Sequence, residues 1–397
     1  MYIAFIYVCV KECVVNFRFM QSEIPVKNDQ RTGPYMKQKF EIAVFQGDGI
    51  GPEIMGPTLD ILQKLAQKSE GYGLHFHDAP AGAAHYRETG ESLPAGSLEI
   101  ARKADAILLS AMGLPDVRYA DGTEISPQID LRKILVLFAG VRPVTVRKDQ
   151  RSPLNMPAGK EIDFVLLRES TEGLFHTQGR GEVSATEARE TLLITRDISE
   201  KLFRFAFALA RTRKENGRGR GRVTCVDKAN VFRAFAFFRQ IFDEEAKKHP
   251  DLSADHAYVD ATALWMVQKP WEFDVLVTEN MFGDILSDLG AGLMGGLGLA
   301  PSADIGLEHA LFQPCHGSAP DIAGQGVANP LAMILSAAMM LDWLGIKHDN
   351  RALVDDGARL RIAVETVVAE QRALTRDLGG TAGTIAAAAA VQEALSL

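Results

Sequence analysis

Short apolar runs alternate with longer stretches of helical periodicity along most of the chain. The runs EIAVFQ (41–46), ADAILLSAM (104–112), DFVLLR (163–168), RVTCVDK (222–228), HAYVDA (256–261) and FDVLVT (273–278) are rich in β-branched and aromatic residues, which predicts strands. Between them apolar positions recur three and four apart, from about Pro52 through TLDILQKLAQKS (58–69) and again over 199–214, 229–248 and 329–344, which predicts helices. IAAAAAVQEAL (385–395) reads as a terminal helix. This βα rhythm predicts an α/β fold. No internal repeat is visible, and the basic stretch RTRKENGRGRGR (211–222) has no interleaved aromatics, so it reads as a solvated turn between a helix and a strand.

Composition narrows the partners. The 397 residues are 47% hydrophobic and 24% charged, ordinary for a globular chain long enough for two compact domains or one large α/β body. A net charge of −8, from 51 acids and 43 bases, argues against nucleic acid. An anionic substrate would have to be met by a few local arginines. Four scattered cysteines (Cys9, Cys13, Cys225, Cys315) form no metal-ligand pattern and predict a reducing, cytoplasmic setting. The opening MYIAFIYVCV is too short to span a membrane and lacks signal-peptide flanks. The natural first strand begins near Met36, and residues 1–35 are expected to be dispensable.

Several constellations could carry chemistry. GDGIGPE (47–53) follows a strand, but Pro52 stands where GxGxxG needs its third glycine, so a tight turn into a helix explains it. Arg132, Arg142 and Arg168 would suit a substrate with two carboxylates if they converge, which spacing does not show; separate surface salt bridges are the alternative. Asp284 and Asp288 lie one helical turn apart on one face, where like charges repel unless a cation compensates. With Asp260 they make an oxygen-only set suited to Mg²⁺ or Mn²⁺; helix capping is the competing role for the pair. Lys228 follows a strand, where burial would make it a usable base. HGSAPDIAGQGVANP (316–330) permits close backbone approach to a ligand and equally describes a long loop. In DFVLLRESTEGLFHTQGRG (163–181) a strand ends in an arginine and an aromatic pair, Phe175–His176, follows in a polar loop.

GDGIGPE, LRKILVLFAGVRP, RESTEG, VDKAN, YVDA, FGDILSDL and HGSAPDIAGQGVANP occur in an order and spacing that resembles the β-decarboxylating dehydrogenases of isopropylmalate, isocitrate, homoisocitrate and tartrate/D-malate, from about residue 40 to the C-terminus. The resemblance implies a doubly wound α/β fold of two domains with a central cleft. The first domain would be discontinuous, 38–137 with 295–397, and the second, 138–294, would carry the dimer contact, leaving 1–37 as an extension. In such enzymes Arg132, Arg142 and Arg168 would hold the carboxylates of a small dicarboxylate, with Ser126, Gln128 and Asn230 as further substrate contacts. Asp284 and Asp288 would ligate Mg²⁺ or Mn²⁺, joined by Asp260 from the other subunit of a homodimer. Lys228, also from the other subunit, would take the hydroxyl proton as hydride leaves for the nicotinamide. Loss of CO₂ from the resulting β-keto acid leaves an enolate that must be protonated. Asp321 falls where the family holds the adenosine ribose, which implies NAD⁺ over NADP⁺, with His316, Gly317, Ser318, Ala319, Ile322 and Asn329 around the cofactor.

Two departures stand out. Gln313 occupies a position where many relatives carry glutamate, and Phe175 one where relatives usually place the tyrosine thought to protonate the enolate. His176, a water or Lys228 would then have to supply that proton. FGDILSDL and SAPDIAG favour 3-isopropylmalate and a place in leucine biosynthesis; the polar EISPQIDLR (124–132) favours tartrate or D-malate, with isocitrate and homoisocitrate as further alternatives. A catalytically silent regulatory relative is the alternative from another class, opposed by the intact Lys228, Asp260, Asp284 and Asp288.

Overall fold

The protein is described by a computed structural model over residues 37–147, 150 and 152–397. The expectation about residues 1–35 lies outside the described residues. Strands β1 (Gln38–Phe45), β2 (Tyr72–Asp78), β3 (Ala106–Leu109), β4 (Ala139–Val146), β5 (Ile162–Glu169), β8 (Arg222–Asp227), β9 (Ser253–Tyr258), β10 (Val275–Thr278), β11 (Pro301–Ile305) and β12 (Ala310–Pro314) form one sheet. A two-stranded ribbon, β6 (Glu182–Val183) and β7 (Ala188–Arg189), stands apart from it. The helices are α1 (Gly51–Lys68), α2 (Ala83–Thr89), α3 (Ala95–Lys103), α4 (Pro127–Ile134), α5 (Arg196–Glu215), α6 (Arg233–Ala246), α7 (Val259–Gln268), α8 (Asn280–Leu293), α9 (Leu331–Lys347), α10 (Arg351–Ala369) and α11 (Thr384–Ala394).

Strand order is β2-β1-β3-β12-β11-β4-β5-β10-β8-β9. Pairing is parallel except at the centre, where β11 runs antiparallel to β12 and β4, and β4 antiparallel to β5. The waist there is narrow: β12 meets β3 through two register pairs and β11 meets β4 through three, against eight between β4 and β5.

The apolar runs are continuous because both faces of the sheet are covered. In β1, Phe40, Ile42 and Val44 face Ile54 and Ile61 of α1, while Ala43 and Phe45 face Ala101 of α3. In β5, Val165 and Leu167 pack on the side of Leu202 and Phe203 of α5, and Phe164 and Leu166 on the side of Leu286 of α8. Each fully buried side chain of this kind contributes about 1.5–3 kcal/mol. The result is the α/β alternation that the βα rhythm predicts, in the doubly wound arrangement that the family resemblance implies.

Two boundaries differ from the sequence expectation. HAYVDA is not strand throughout: β9 ends at Tyr258 and α7 begins at Val259, so Asp260 lies in a first helical turn, where a carboxylate suits the helix dipole. ANVFRAFAFFRQ turns helical only at Arg233, because residues 228–232 form a turn closed by the Lys228 carbonyl accepting from the Val231 and Phe232 amides.

Candidate active site

Arg132 of α4, Arg142 of β4 and Arg168 at the end of β5 are all buried, and the fold brings them together around Asp304 of β11. Asp304 Oδ2 accepts from Arg132 Nε at 3.0 Å and Oδ1 from Arg142 Nη2 at 3.1 Å. Burial alone would raise the Asp304 pKa, but the charges of Arg132, Arg142 and Arg168 outweigh it and hold the carboxyl at about 2. Arg168 Nε donates to Asn280 Oδ1 at 2.9 Å, and Nη1 pairs with Asp284. Burial, then the positive charge of Arg132, pushes Arg168 down to about 10, which leaves it cationic at neutral pH. The separate-surface-bridge alternative therefore fails for these arginines. Asp304 carries no motif; only the fold reveals it.

Phe175 finds its place here. Its ring lies 5.1 Å from the Arg168 guanidinium, in a 3₁₀ turn over Leu174–Thr177, a cation–π contact that keeps the arginine oriented. His176 is half-buried, and its carbonyl accepts from Arg180. The loop is pinned by Glu172, whose carboxylate accepts from the Thr195 amide at 2.8 Å and hydroxyl at 2.6 Å, and by Asn280 Nδ2 donating to the Glu172 carbonyl at 2.9 Å.

Asp284 and Asp288 lie on α8 beyond its first turn. The cap is Glu279, which accepts from the Phe282 amide at 2.8 Å, so the capping role weighed for the aspartates belongs to another residue. Burial and then the charge of Asp284 raise the Asp288 pKa, a repulsion that a divalent cation would relieve. Among the described residues no three acids, histidines or cysteines of one chain stand together as a metal site. Asp260 instead pairs with Lys228 at 2.6 Å, and its carboxylate is otherwise open to solvent. Asn230 is exposed beside them. Asp227, fully buried, fixes this turn by accepting from Arg239 at 2.8 and 2.6 Å and from the Ala229 amide at 2.8 Å.

GDGIGPE is the structural turn expected, with Gly51 and Pro52 opening α1, and it also braces the loop at 316–322. Asp48, buried, accepts backbone amides of Ala83, Ala84 and Gly113 at 2.8, 2.8 and 2.7 Å. The Ile50 amide donates to the Ser318 carbonyl at 2.8 Å, and Gly49, at φ +58°, approaches that carbonyl so closely that a Cβ would sit 2.0 Å from its oxygen. Ser318 Oγ in turn donates to the Gly113 carbonyl at 2.5 Å. On this platform His316 bonds through Nδ1 to the Gly317 carbonyl, and its buried Nε2 has no protein partner. Burial keeps its imidazole below the ordinary pKa and hence neutral. Space is open where a Gly317 Cβ would lie, Asp321 is exposed, and Ala319 and Ile322 are half-buried. An unpaired imidazole nitrogen beside an open backbone fits a nucleotide cofactor. Asn329 is committed elsewhere: its Nδ2 donates to Asp377 at 2.8 Å and its Oδ1 accepts the Leu331 amide at 3.0 Å.

At the cleft mouth Ser126 Oγ accepts from Gln178 Nε2 at 2.9 Å, and the buried Gln128 Oε1 lacks a protein partner. Gln313 donates to Asp304 Oδ2 at 3.0 Å. A glutamate there would face a like charge, which accounts for the amide.

A family model described as isocitrate/isopropylmalate dehydrogenase matches residues 41–395. The 3-isopropylmalate dehydrogenase of Aquifex aeolicus is 42% identical over 315 residues, 77% of this chain and 84% of that protein. The 3-isopropylmalate/3-methylmalate dehydrogenase of Methanocaldococcus jannaschii is 41% identical over 345 residues, 87% of this chain and 95% of that protein. Among solved structures, isocitrate dehydrogenase from Methylococcus capsulatus aligns at a TM-score of 0.78 and 35% identity, covering 90% of this chain and 100% of that one.

Proposed function

The chain belongs to the isocitrate/isopropylmalate dehydrogenase family of decarboxylating dehydrogenases, and from that premise we propose that it oxidises and decarboxylates 3-isopropylmalate, a step of leucine biosynthesis, with NAD⁺ and Mg²⁺ or Mn²⁺. The observation that carries this reading is the convergence of three buried arginines beside Asp284 and Asp288. The preference for isopropylmalate rests on the relatives that share about 40% of their residues with the chain over most of its length.

Arg132 and Arg168 grip the substrate carboxylates with Arg142 beside them. Asp284 and Asp288, with Asp260 of a second copy, would hold the cation. A bound cation would supply Lewis acidity at the 2-hydroxyl and at the carbonyl formed from it, and NAD⁺ would be the hydride acceptor. Lys228 Nζ of the second copy takes the hydroxyl proton. His176 donates the proton that ends the reaction, since Phe175 has none to give. His316, Gly317, Ser318 and Ile322 line the adenosine site, and Asp321 there repels a 2′-phosphate.

The homodimer is supported by apolar side chains in the open around Lys228, Asp260 and Asp284: Val231, Phe232, Leu264 and Ile285 are each 54–63% exposed. The strand order supports two lobes, one built on β1–β3, β11 and β12 and the other on β4, β5 and β8–β10. A second reading, tartrate or D-malate, is favoured by the polar mouth at Ser126, Gln128 and Gln178.

The test is reduction of NAD⁺ and NADP⁺ with Mn²⁺ across 3-isopropylmalate, D-malate, tartrate, isocitrate and homoisocitrate. The highest kcat/KM is expected for 3-isopropylmalate with NAD⁺. Another winner replaces the substrate assignment, and silence on all five replaces the enzyme with a non-catalytic relative.

A further inference from the structure

Asp304 takes no step in the reaction above, yet it is the most enclosed charge in the cleft, with no exposed surface. Its two oxygens accept four hydrogen bonds, from Arg132 and Gln313 at Oδ2 (3.0 and 3.0 Å) and from Arg142 and Ser170 at Oδ1 (3.1 and 3.2 Å). That fills the acceptor capacity of a carboxylate. Its register partner on β4 is Gly140, where a Cβ would come within 3.1 Å of Asp304 Oδ1 and 2.5 Å of Ser170 Oγ. The backbone has been cleared for this group.

Two consequences follow for ligand binding. Arg132 is held through Nε, which keeps both terminal nitrogens for a carboxylate, whereas Arg142 spends Nη1 on the Ala303 and Val141 carbonyls and Nη2 on Asp304. Three guanidiniums less one permanent carboxylate leave two positive charges facing the substrate. Asp284, the other acid on this cluster, is committed to the cation in the proposed reaction.

We propose that Asp304 is a specificity-determining residue: it sets the charge of the anion site to suit two carboxylates and to disfavour a third on the substrate's C3 substituent. The inference rests on the reading that these arginines bind substrate carboxylates. It selects malates with an uncharged side group over the tricarboxylates of the same family.

The experiment is calorimetric titration of the protein in saturating Mg²⁺, which keeps Asp284 on the cation, with glutarate and with tricarballylate, which differ by one central carboxylate, at neutral pH and low salt. For Asp304→Asn the affinity ratio of tricarballylate to glutarate should rise on the order of tenfold to a hundredfold over wild type, the effect of one unit charge a few ångströms away at an effective dielectric constant of about 20. The double variant Asp304→Asn with Gln313→Glu returns the carboxylate to within one hydrogen bond of its place, and should return the ratio toward wild type. Should Asp304→Asn fail to fold, Gln313→Lys makes the same change in net charge with Asp304 kept, and should move the ratio the same way. An unchanged ratio in Asp304→Asn, or in Gln313→Lys where it stands in, overturns the proposal. If neither ligand binds wild type, or Arg132→Ala does not weaken them, the arginine reading fails instead.

Discussion

Removing the Asp48 carboxylate should destabilise the protein and, more narrowly, damage cofactor binding. Three backbone amides, those of Ala83, Ala84 and Gly113, end on its two oxygens at 2.7–2.8 Å, and the residue is 2% exposed. Hydrogen bonds to a charged group contribute about 1.5–3 kcal/mol each, and a buried donor left without a partner costs about 1–3 kcal/mol. In Asp48→Ala all three donors lose their acceptor; water reaches the half-buried Ala84 amide most easily, so the expected loss is about 3–5 kcal/mol. In Asp48→Asn one oxygen still serves the amides of Ala83 and Gly113, while the new NH₂ opposes that of Ala84. The expected cost is roughly 1.5–3 kcal/mol. Urea unfolding at one fixed protein concentration measures both, since the proposed dimer would make apparent stability depend on concentration. Kinetics supply the second readout. Because Gly113 accepts from Ser318 and Gly49 abuts the Ser318 carbonyl, Asp48→Asn should raise KM for NAD⁺ several-fold while KM for the hydroxy acid moves little. Asp48→Asn within about 0.5 kcal/mol of wild type, or equal changes in both KM values, would refute the reasoning.

Three further outcomes are expected. Asp304 has a folded-state pKa of about 2 against an ordinary 3.8, so its contribution of roughly 2 kcal/mol is complete above the ordinary value and disappears as pH falls through about 2; acid unfolding of wild type should show this loss and Asp304→Asn should not. Phe175→Tyr should raise turnover and His176→Ala lower it, read by steady-state rates with solvent deuterium, and no effect from either leaves the loop with the sole task of orienting Arg168. Mixing Lys228→Ala with Asp284→Asn subunits, each inactive alone, should recover about a quarter of wild-type activity, because random pairing makes half the dimers mixed and each mixed dimer has one intact site; no recovery after subunit exchange argues against shared sites.

The parts of this molecule written in local chemistry were legible in its sequence. Strand runs buried on both faces, a proline at the second residue of α1 and the spacing of Asp284 and Asp288 each declare themselves within a few residues. Convergence does not. Arg132, Arg142 and Arg168 come from a helix and two strands, and what joins them, Asp304, stands in PSADIGL, where a lone acid in an apolar run has nothing to announce burial. Asp48 and Asp227 were hidden differently: each lies inside a recognised motif, GDGIGPE and VDKAN, beside residues that drew attention for chemistry. Their partners, the amides of Ala83, Ala84 and Gly113 for one and Arg239 for the other, are supplied by other segments. Glu279 could have been found, because acids are enriched around the start of a helix.

The central seam of the sheet also has a mechanical meaning. A single hydrogen-bonded sheet runs from β2 to β9, so its two halves are joined by strand pairing rather than by a linker. The joint is thinnest between β3 and β12, with two register pairs, and between β11 and β4, with three, whereas β11 and β12 share five. Asp304 and Gly140 pair at the second of these thin joints, so a substitution there would reach the connection between the halves of the sheet as well as the arginine cluster.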